Sequence, residues 1–173
     1  MKKVIVIGCP GSGKTTFAEK LCRKTGLPLV YLDAIWHRAD RSHISREEFD
    51  RLLGEILSGE EWIIDGNYSR TLERRLLACD TVVLFDLPTE TCLAGAVARL
   101  GKKRPDMPWV DTELDPHLKG EIEKFRAETL PEIASLLERH GNGRRVEIFR
   151  SREEADAFLE AFEKGANNDR LRT

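Results

Sequence analysis

The octapeptide Gly8-Cys9-Pro10-Gly11-Ser12-Gly13-Lys14-Thr15 fits G-x-x-x-x-G-K-[ST] at every constrained position. It ends the apolar run Val4–Gly8 and opens an amphipathic segment marked by Phe17, Ala18, Leu21 and Cys22. A buried strand therefore runs through a tight turn into a helix, the context this pattern requires. The glycines let successive backbone N–H groups turn inward with no Cβ in the way, so they can cradle phosphate oxygens. The helix N-terminus adds the positive end of its dipole at the same point. Gly8, Pro10, Gly11, Ser12, Gly13, Lys14, Thr15 and Thr16 are the expected contacts of a nucleotide phosphate chain. Lys14 supplies a point charge to the β- and γ-phosphates and the Thr15 hydroxyl a ligand for Mg²⁺, so ATP and Mg²⁺ are the expected cofactors.

Outward from this turn, short apolar runs alternate with helical patterns. Leu29–Leu32, Trp62–Asp65, Thr81–Leu87 and Arg145–Phe149 are short, rich in Val and Ile, and bounded by Gly, Asp or Pro, which predicts buried strands. Phe49, Leu52, Leu53, Ile56 and Leu57 follow a capping box, Ser45 with Glu48. Leu72, Leu76 and Leu77 mark a short third helix, and Leu93, Ala96, Val97 and Leu100 a fourth. A long helical region, 118–139, contains Pro131, which is expected to kink or divide it. The last helix starts at a second capping box, Ser151 with Glu154, and shows Ala155, Phe158, Leu159 and Phe162 on one face. This alternation implies five parallel strands covered by helices on both faces, a three-layer α/β/α P-loop NTPase fold. One domain spans 1–164, and the polar, aperiodic 165–173 reads as a flexible tail. Residues 101–120, charged and carrying Pro105, Pro108 and Pro116, have the composition of a small lid.

Several classes are excluded. The chain has 173 residues, 40% hydrophobic and 34% charged, which suits a globular domain and not a disordered one. A net charge of −2 argues against general nucleic-acid binding, so DNA binding is not expected. There is no N-K-x-D sequence of a guanine-reading GTPase and no G-x-G-x-x-G of a dehydrogenase. No apolar run approaches the roughly 18 residues of a membrane span. Val4–Ile7 is too short for a signal-peptide core, so a cytoplasmic setting is expected. Cys9, Cys22, Cys79 and Cys92 form no C-x-x-C, and His37, His43, His117 and His140 have no metal-ligand spacing.

Two carboxylates sit where ligands bind in open α/β sheets, at the carboxyl ends of strands: Asp33 after the second and Asp65 after the third. Facing a phosphate loop, they suit holding Mg²⁺-bound water or taking a proton from an attacking hydroxyl; the alternative is turn formation or helix capping. Trp36 follows Asp33, placed either to stack on an acceptor ring or to pack. Arg99, Lys102, Lys103 and Arg104 form the densest basic cluster. They suit either the closing of a lid over a transferring phosphoryl group or the complementing of a helix C-terminus. Trp109 in the same stretch is placed to close over a substrate.

Asp65-Gly66-Asn67-Tyr68-Ser69-Arg70-Thr71 resembles the D-G-F-P-R-T segment of adenylate kinases, within the nucleoside-monophosphate-kinase-like branch of P-loop proteins. Trp62–Ser69, Leu84-Phe85-Asp86-Leu87-Pro88 and Arg104-Pro105-Asp106-Met107 are similar to a bacterial adenylate-kinase-like group labelled DNA topology modulation proteins. The resemblance implies a nucleotide-kinase-like fold with a lid and transfer of the γ-phosphoryl group of Mg-ATP to a small-molecule or nucleotide acceptor. It implies Asp65 in the Mg²⁺ water shell, Arg70 on an acceptor phosphate with Asn67 beside it, and Arg99 and Arg104 on the transferring group. The segment at Ser151 would lie near the adenine. The label also leaves a nucleotide-dependent, DNA-associated regulator as an alternative, beside an NTPase without acceptor. The chain departs from adenylate kinases at Thr15, where they carry Gly and shikimate- and gluconate-kinase-like enzymes carry a hydroxyl. It departs again at Asn67-Tyr68-Ser69, in place of the aromatic-proline pair.

Overall fold

The computed structural model describes residues 1–170, with side chains described through residue 161. In chain order the elements are β1 (Lys3–Gly8), α1 (Lys14–Thr25), β2 (Leu29–Tyr31), α2 (Leu32–Trp36), α3 (Arg46–Ser58) and β3 (Trp62–Asp65). They continue with α4 (Ser69–Ala78), β4 (Thr81–Phe85), α5 (Thr89–Ala98), α6 (Pro116–Lys124), α7 (Thr129–His140), β5 (Arg145–Phe149) and α8 (Arg152–Arg170). The five strands form one parallel sheet in the order β2-β3-β1-β4-β5. The helices cover its faces, α1 lying beside α8 and α4 beside α7. The chain leaves β1 toward β2 and β3 on one side, then crosses to β4 on the other. The carboxyl end of β1 is thus the point where strand order reverses and ligands bind in such sheets.

The central strands β1, β3 and β4 are buried almost throughout, which explains their unbroken apolar sequences. Phe17 of α1 meets Phe85 edge-on at 5.4 Å and Phe149 at 5.5 Å, seating the first helix on the sheet beside the phosphate loop. The Ser45 hydroxyl accepts from the Glu48 N–H, as its capping box predicts.

Four expectations need correction. Strand β2 stops at Tyr31, because Leu32–Trp36 turns into the unanticipated short helix α2. Strand β4 ends at Phe85 instead of Leu87. The 118–139 region divides at 125–128, not at Pro131. Pro131 is the third residue of α7, where a missing N–H removes no intrahelical bond. Strand β5 is an edge, with Val146 and Ile148 36% and 40% exposed, and Leu77 and Val97 also face outward from their helices. Helix α8 continues to Arg170. The Phe162 side chain lies outside the described ones, as do residues 171–173 of the expected tail. Among the described residues no helix is long and apolar enough to cross a membrane.

Helix α5 lies directly on the phosphate loop. A Cβ on Gly95 would stand 2.0 Å from the Gly11 carbonyl oxygen, and one on Gly11 (φ +79°) 2.1 Å from the Cys92 carbonyl oxygen. Only two bare backbones can approach this closely. Gly95→Ala is therefore expected to lower unfolding free energy by about 1–3 kcal/mol through forced separation of α5 and the loop. Gly120→Ala, in α6 with open space around it, is expected to be neutral or stabilising. Urea unfolding of the two variants at unchanged m-value checks the contrast.

Candidate active site

The phosphate loop is shaped by its neighbours before any ligand arrives. Gly8 donates its N–H to Asn67 Oδ1 (2.9 Å) and accepts from Asn67 Nδ2 (2.8 Å). On the other side, Arg152 at the start of α8 donates to the Ser12 and Gly11 carbonyls at 3.2 and 3.1 Å. Lys14 Nζ reaches back to the Cys9 carbonyl at 2.9 Å. Helix α1 has Gly13 at its N-cap, with no side chain capping it and no acid in its first turn. Its N-terminal amides and dipole are left for an anion.

The two carboxylates take different environments. Asp65 is 5% exposed; its Oδ2 accepts from the Thr15 hydroxyl at 2.6 Å while Oδ1 is buried without a hydrogen-bond partner. Burial pushes its carboxyl up to about 6, against the opposing pull of Lys14 and the Thr15 hydroxyl. The same burial lowers the Lys14 ammonium, with Asp65 working in the other direction. Asp33 lies on α2, and its Oδ1 accepts from the Tyr68 hydroxyl at 2.9 Å. Tyr68 holds a left-handed backbone (φ +42°) that a bulky side chain rarely adopts. The fully buried Arg75 secures it by donating to the carbonyls of Gly66 (2.7 Å), Asn67 and Tyr68 (3.1 Å). Burial lowers the Arg75 guanidinium to about 10, so it stays charged at neutral pH.

Two cavities meet at the loop. One, of about 530 Å³, is lined by Gly11, Gly13, Thr16, Lys20, Lys102, Lys103 and Arg152 and is mainly basic. The other, of about 1040 Å³, contains Pro10, Asp33, Trp36, Asp65, Asn67, Tyr68 and Trp109. Lys14, Thr15, Arg99, Arg104 and Asp106 line both and so stand at the junction. Burial, and then Arg104 nearby, lowers the Arg99 guanidinium. Arg104 is paired with Asp106 (3.5 Å) and Asp111 (3.4 Å). The segment 101–115 crosses the larger cavity, where Trp109 meets His37 edge-on at 5.1 Å and lies under Arg41 at 5.3 Å.

The structure thus brings Lys14, Thr15, Asp33, Asp65, Arg99 and Arg104 together. Trp36 lines the larger cavity but is also stacked on His43 at 4.5 Å, so it both packs and faces the site. Asn67 is engaged with Gly8, although its residue still borders the cavity. Arg70 does not join: it makes a two-pronged pair with Asp50 of α3 at 2.7 and 2.8 Å. Ser151 accepts from the Glu154 N–H at 3.2 Å and lines neither cavity, and Ser12 is fully buried. The sequence assigns no role to Arg75 or Asp106, and Arg152, in the segment expected near the adenine, instead braces the phosphate loop. Arg75 falls on the same helical stripe as Leu72 and Leu76, the one signal that could have marked a charge aimed inward.

The sequence matches the AAA domain family over residues 4–115. Among curated proteins no sequence matches significantly. Solved structures share the fold. Shikimate kinase from Acinetobacter baumannii, in complex with shikimate, superposes with a TM-score of 0.62 at 16% identity, covering 99% of this chain and 96% of that one. Shikimate kinase from Bacteroides thetaiotaomicron gives 0.57 at 14%, over 95% and 97% of the two chains. A sugar kinase from Janibacter sp. HTCC2649 gives 0.53 at 19%, over 93% and 91%.

The Asp65 carboxyl generates a pH dependence. Its folded-state value near 6 exceeds the ordinary 3.8, so the unfolded chain releases this proton first. Stability falls as pH rises from about 4 to 6 and stays lowered above that, by up to about 3 kcal/mol. Asp65→Asn lacks the effect. Urea unfolding is expected to find it more stable than the parent at pH 7.5, with the gap closing toward pH 4.

Proposed function

The chain belongs to the AAA domain family, and from that premise we propose that it is a phosphotransferase. It moves the γ-phosphoryl group of Mg-ATP to a hydroxyl-bearing small molecule in a cytoplasmic setting. The observation that carries this reading is the junction of the two cavities at Lys14, Thr15, Arg99 and Arg104. A nucleotide switch needs one phosphate cavity; a second, larger one opening onto the same cations suits an acceptor. The shikimate kinases and the sugar kinase that share its fold agree with this reading.

The residues fit the nucleotide and the metal. The uncapped N-terminus of α1 and the glycine turn offer N–H groups to phosphate oxygens. The orphaned Oδ1 of Asp65 and the Thr15 hydroxyl offer oxygen to a hard cation or its water. Bound Mg²⁺ would neutralise charge on the phosphate chain. Lys14 exchanges its loop carbonyl for the phosphates, and Arg99 and Arg104 meet charge as it spreads over the transferring group. Asp33, oriented by Tyr68, takes the proton of the attacking hydroxyl. The segment 101–120 acts as the lid that keeps water out.

A transfer screen with γ-labelled ATP over nucleosides, nucleoside monophosphates and small metabolites tests the reading. Labelled organic product supports it, whereas label released only as inorganic phosphate makes the chain an NTPase. Lys14→Ala is expected to keep its melting temperature and lose about 10²–10³ in turnover. Arg104→Ala should lose more turnover than ATP affinity. Amide exchange across 101–120 should slow with a bisubstrate analogue.

A further inference from the structure

The charge distribution of the larger cavity speaks to what the acceptor carries. An acceptor with its own phosphate or carboxylate needs cations apart from those on the donor phosphates. Beyond the junction, the cations lining this cavity are Arg41 and Lys124. Arg41 lies over the Trp109 ring at 5.3 Å, and Lys124 is 3.9 Å from Glu128 on the exposed surface. Arg70 is held by Asp50 outside the cavity. The acidic lining is much heavier. Asp33, Asp106 and Asp111 lie inside, with Glu113, Glu121 and Glu128 at the rim.

Asp106 shows that this is more than a run of surface acids. It is 4% exposed, and its Oδ1 has no hydrogen-bond partner while Oδ2 faces Arg104 at 3.5 Å. A buried carboxylate oxygen without a donor costs free energy that a ligand's N–H would recover. Trp36, Tyr68 and Trp109 line the same space; one face of each ring is covered, by His43, Phe49 and Arg41, and the opposite faces attract an ammonium group.

We propose that the acceptor is an amino alcohol, a hydroxyl compound with an ammonium group and no phosphate or carboxylate, held by Asp106 and the aromatic lining of this cavity. The inference rests on the kinase reading above. In the reaction the acceptor oxygen forms a bond to the γ-phosphorus as the bond from that phosphorus to the β,γ-bridging oxygen breaks. ADP leaves, and the hydroxyl proton passes to Asp33 and then to water.

Binding is read by tryptophan fluorescence in the presence of Mg²⁺ and a non-hydrolysable ATP analogue. Two matched series serve as probes: glucosamine, glucose, glucuronate and glucose 6-phosphate; and serinol, glycerol, glycerate and glycerol 3-phosphate. In at least one series the ammonium member is expected to bind about tenfold tighter than its anionic partners. Asp106→Asn, and independently Glu121→Gln at the exposed rim, should shrink that preference, with folding confirmed by melting temperature. Anionic members binding as well or better, or no ammonium member binding below about 10 mM, would overturn the proposal. Labelled ATP separates the two claims. Transfer to an anionic member alone leaves the kinase and removes the amino alcohol; tight ammonium binding without transfer does the reverse.

Discussion

The pair of hydrogen bonds between the Asn67 side chain and the Gly8 backbone joins the phosphate loop to the end of β3. Everything chemical in the molecule depends on that join. It sets Asp65, two residues earlier, against Thr15 at 2.6 Å. Tyr68, one residue later, is set to reach Asp33 at 2.9 Å. Parallel pairing of β1 with β3, with Val6 opposite Asp65, brings the two loops side by side. Asn67 then fixes their relative height. Arg75 completes the arrangement from beneath by taking the carbonyls of Gly66, Asn67 and Tyr68.

This construction concentrates charge in a place that disfavours it. Lys14 and Asp65 are both desolvated, and burial moves each toward its neutral form. Buried Asp106 is pushed upward for the same reason. A site held this way is less stable than an apolar core of equal volume. It is also preorganised, because the buried charged groups are already held in place before a phosphate chain and its metal enter. The opposed character of the two cavities follows from the same geometry. Cations from α1, the stretch 99–104 and α8 face the donor side, while α2, the segment 106–115 and α6 present acids to the other.

The departures from sequence expectation share a cause. Periodicity reports which residues are apolar, but not which neighbour covers them. Val146 and Ile148 read as a buried strand and are partly exposed because β5 is the last in the sheet. Arg70 sits in a segment similar to one that holds an acceptor phosphate, yet α3 places Asp50 where the guanidinium reaches it first. Pro131 suggests a break by its chemistry, but the break falls earlier, where the backbone turns at 125–128 and leaves proline in the first turn of α7. The resemblance implies an acceptor contact at Asn67; the residue borders the larger cavity while its amide braces the phosphate loop.

What the sequence determined by itself was local. The phosphate loop, the five strands, the Ser45 and Ser151 caps and the carboxylate ending β3 each follow from residue type at short spacing, where sterics and backbone hydrogen bonding act directly, whereas Asp33 falls on α2 and not at the end of β2. The strand order, the bracing of the loop by Asn67 and Arg152, the burial of Arg75 and Asp106, and the division into a basic and an acidic cavity were decided by tertiary structure. These features join residues far apart in sequence, such as Gly11 and Arg152, 141 positions apart, or Gly8 and Asn67, 59 apart. Their energies depend on desolvation and mutual distance, which exist only once the sheet has closed the gap between them.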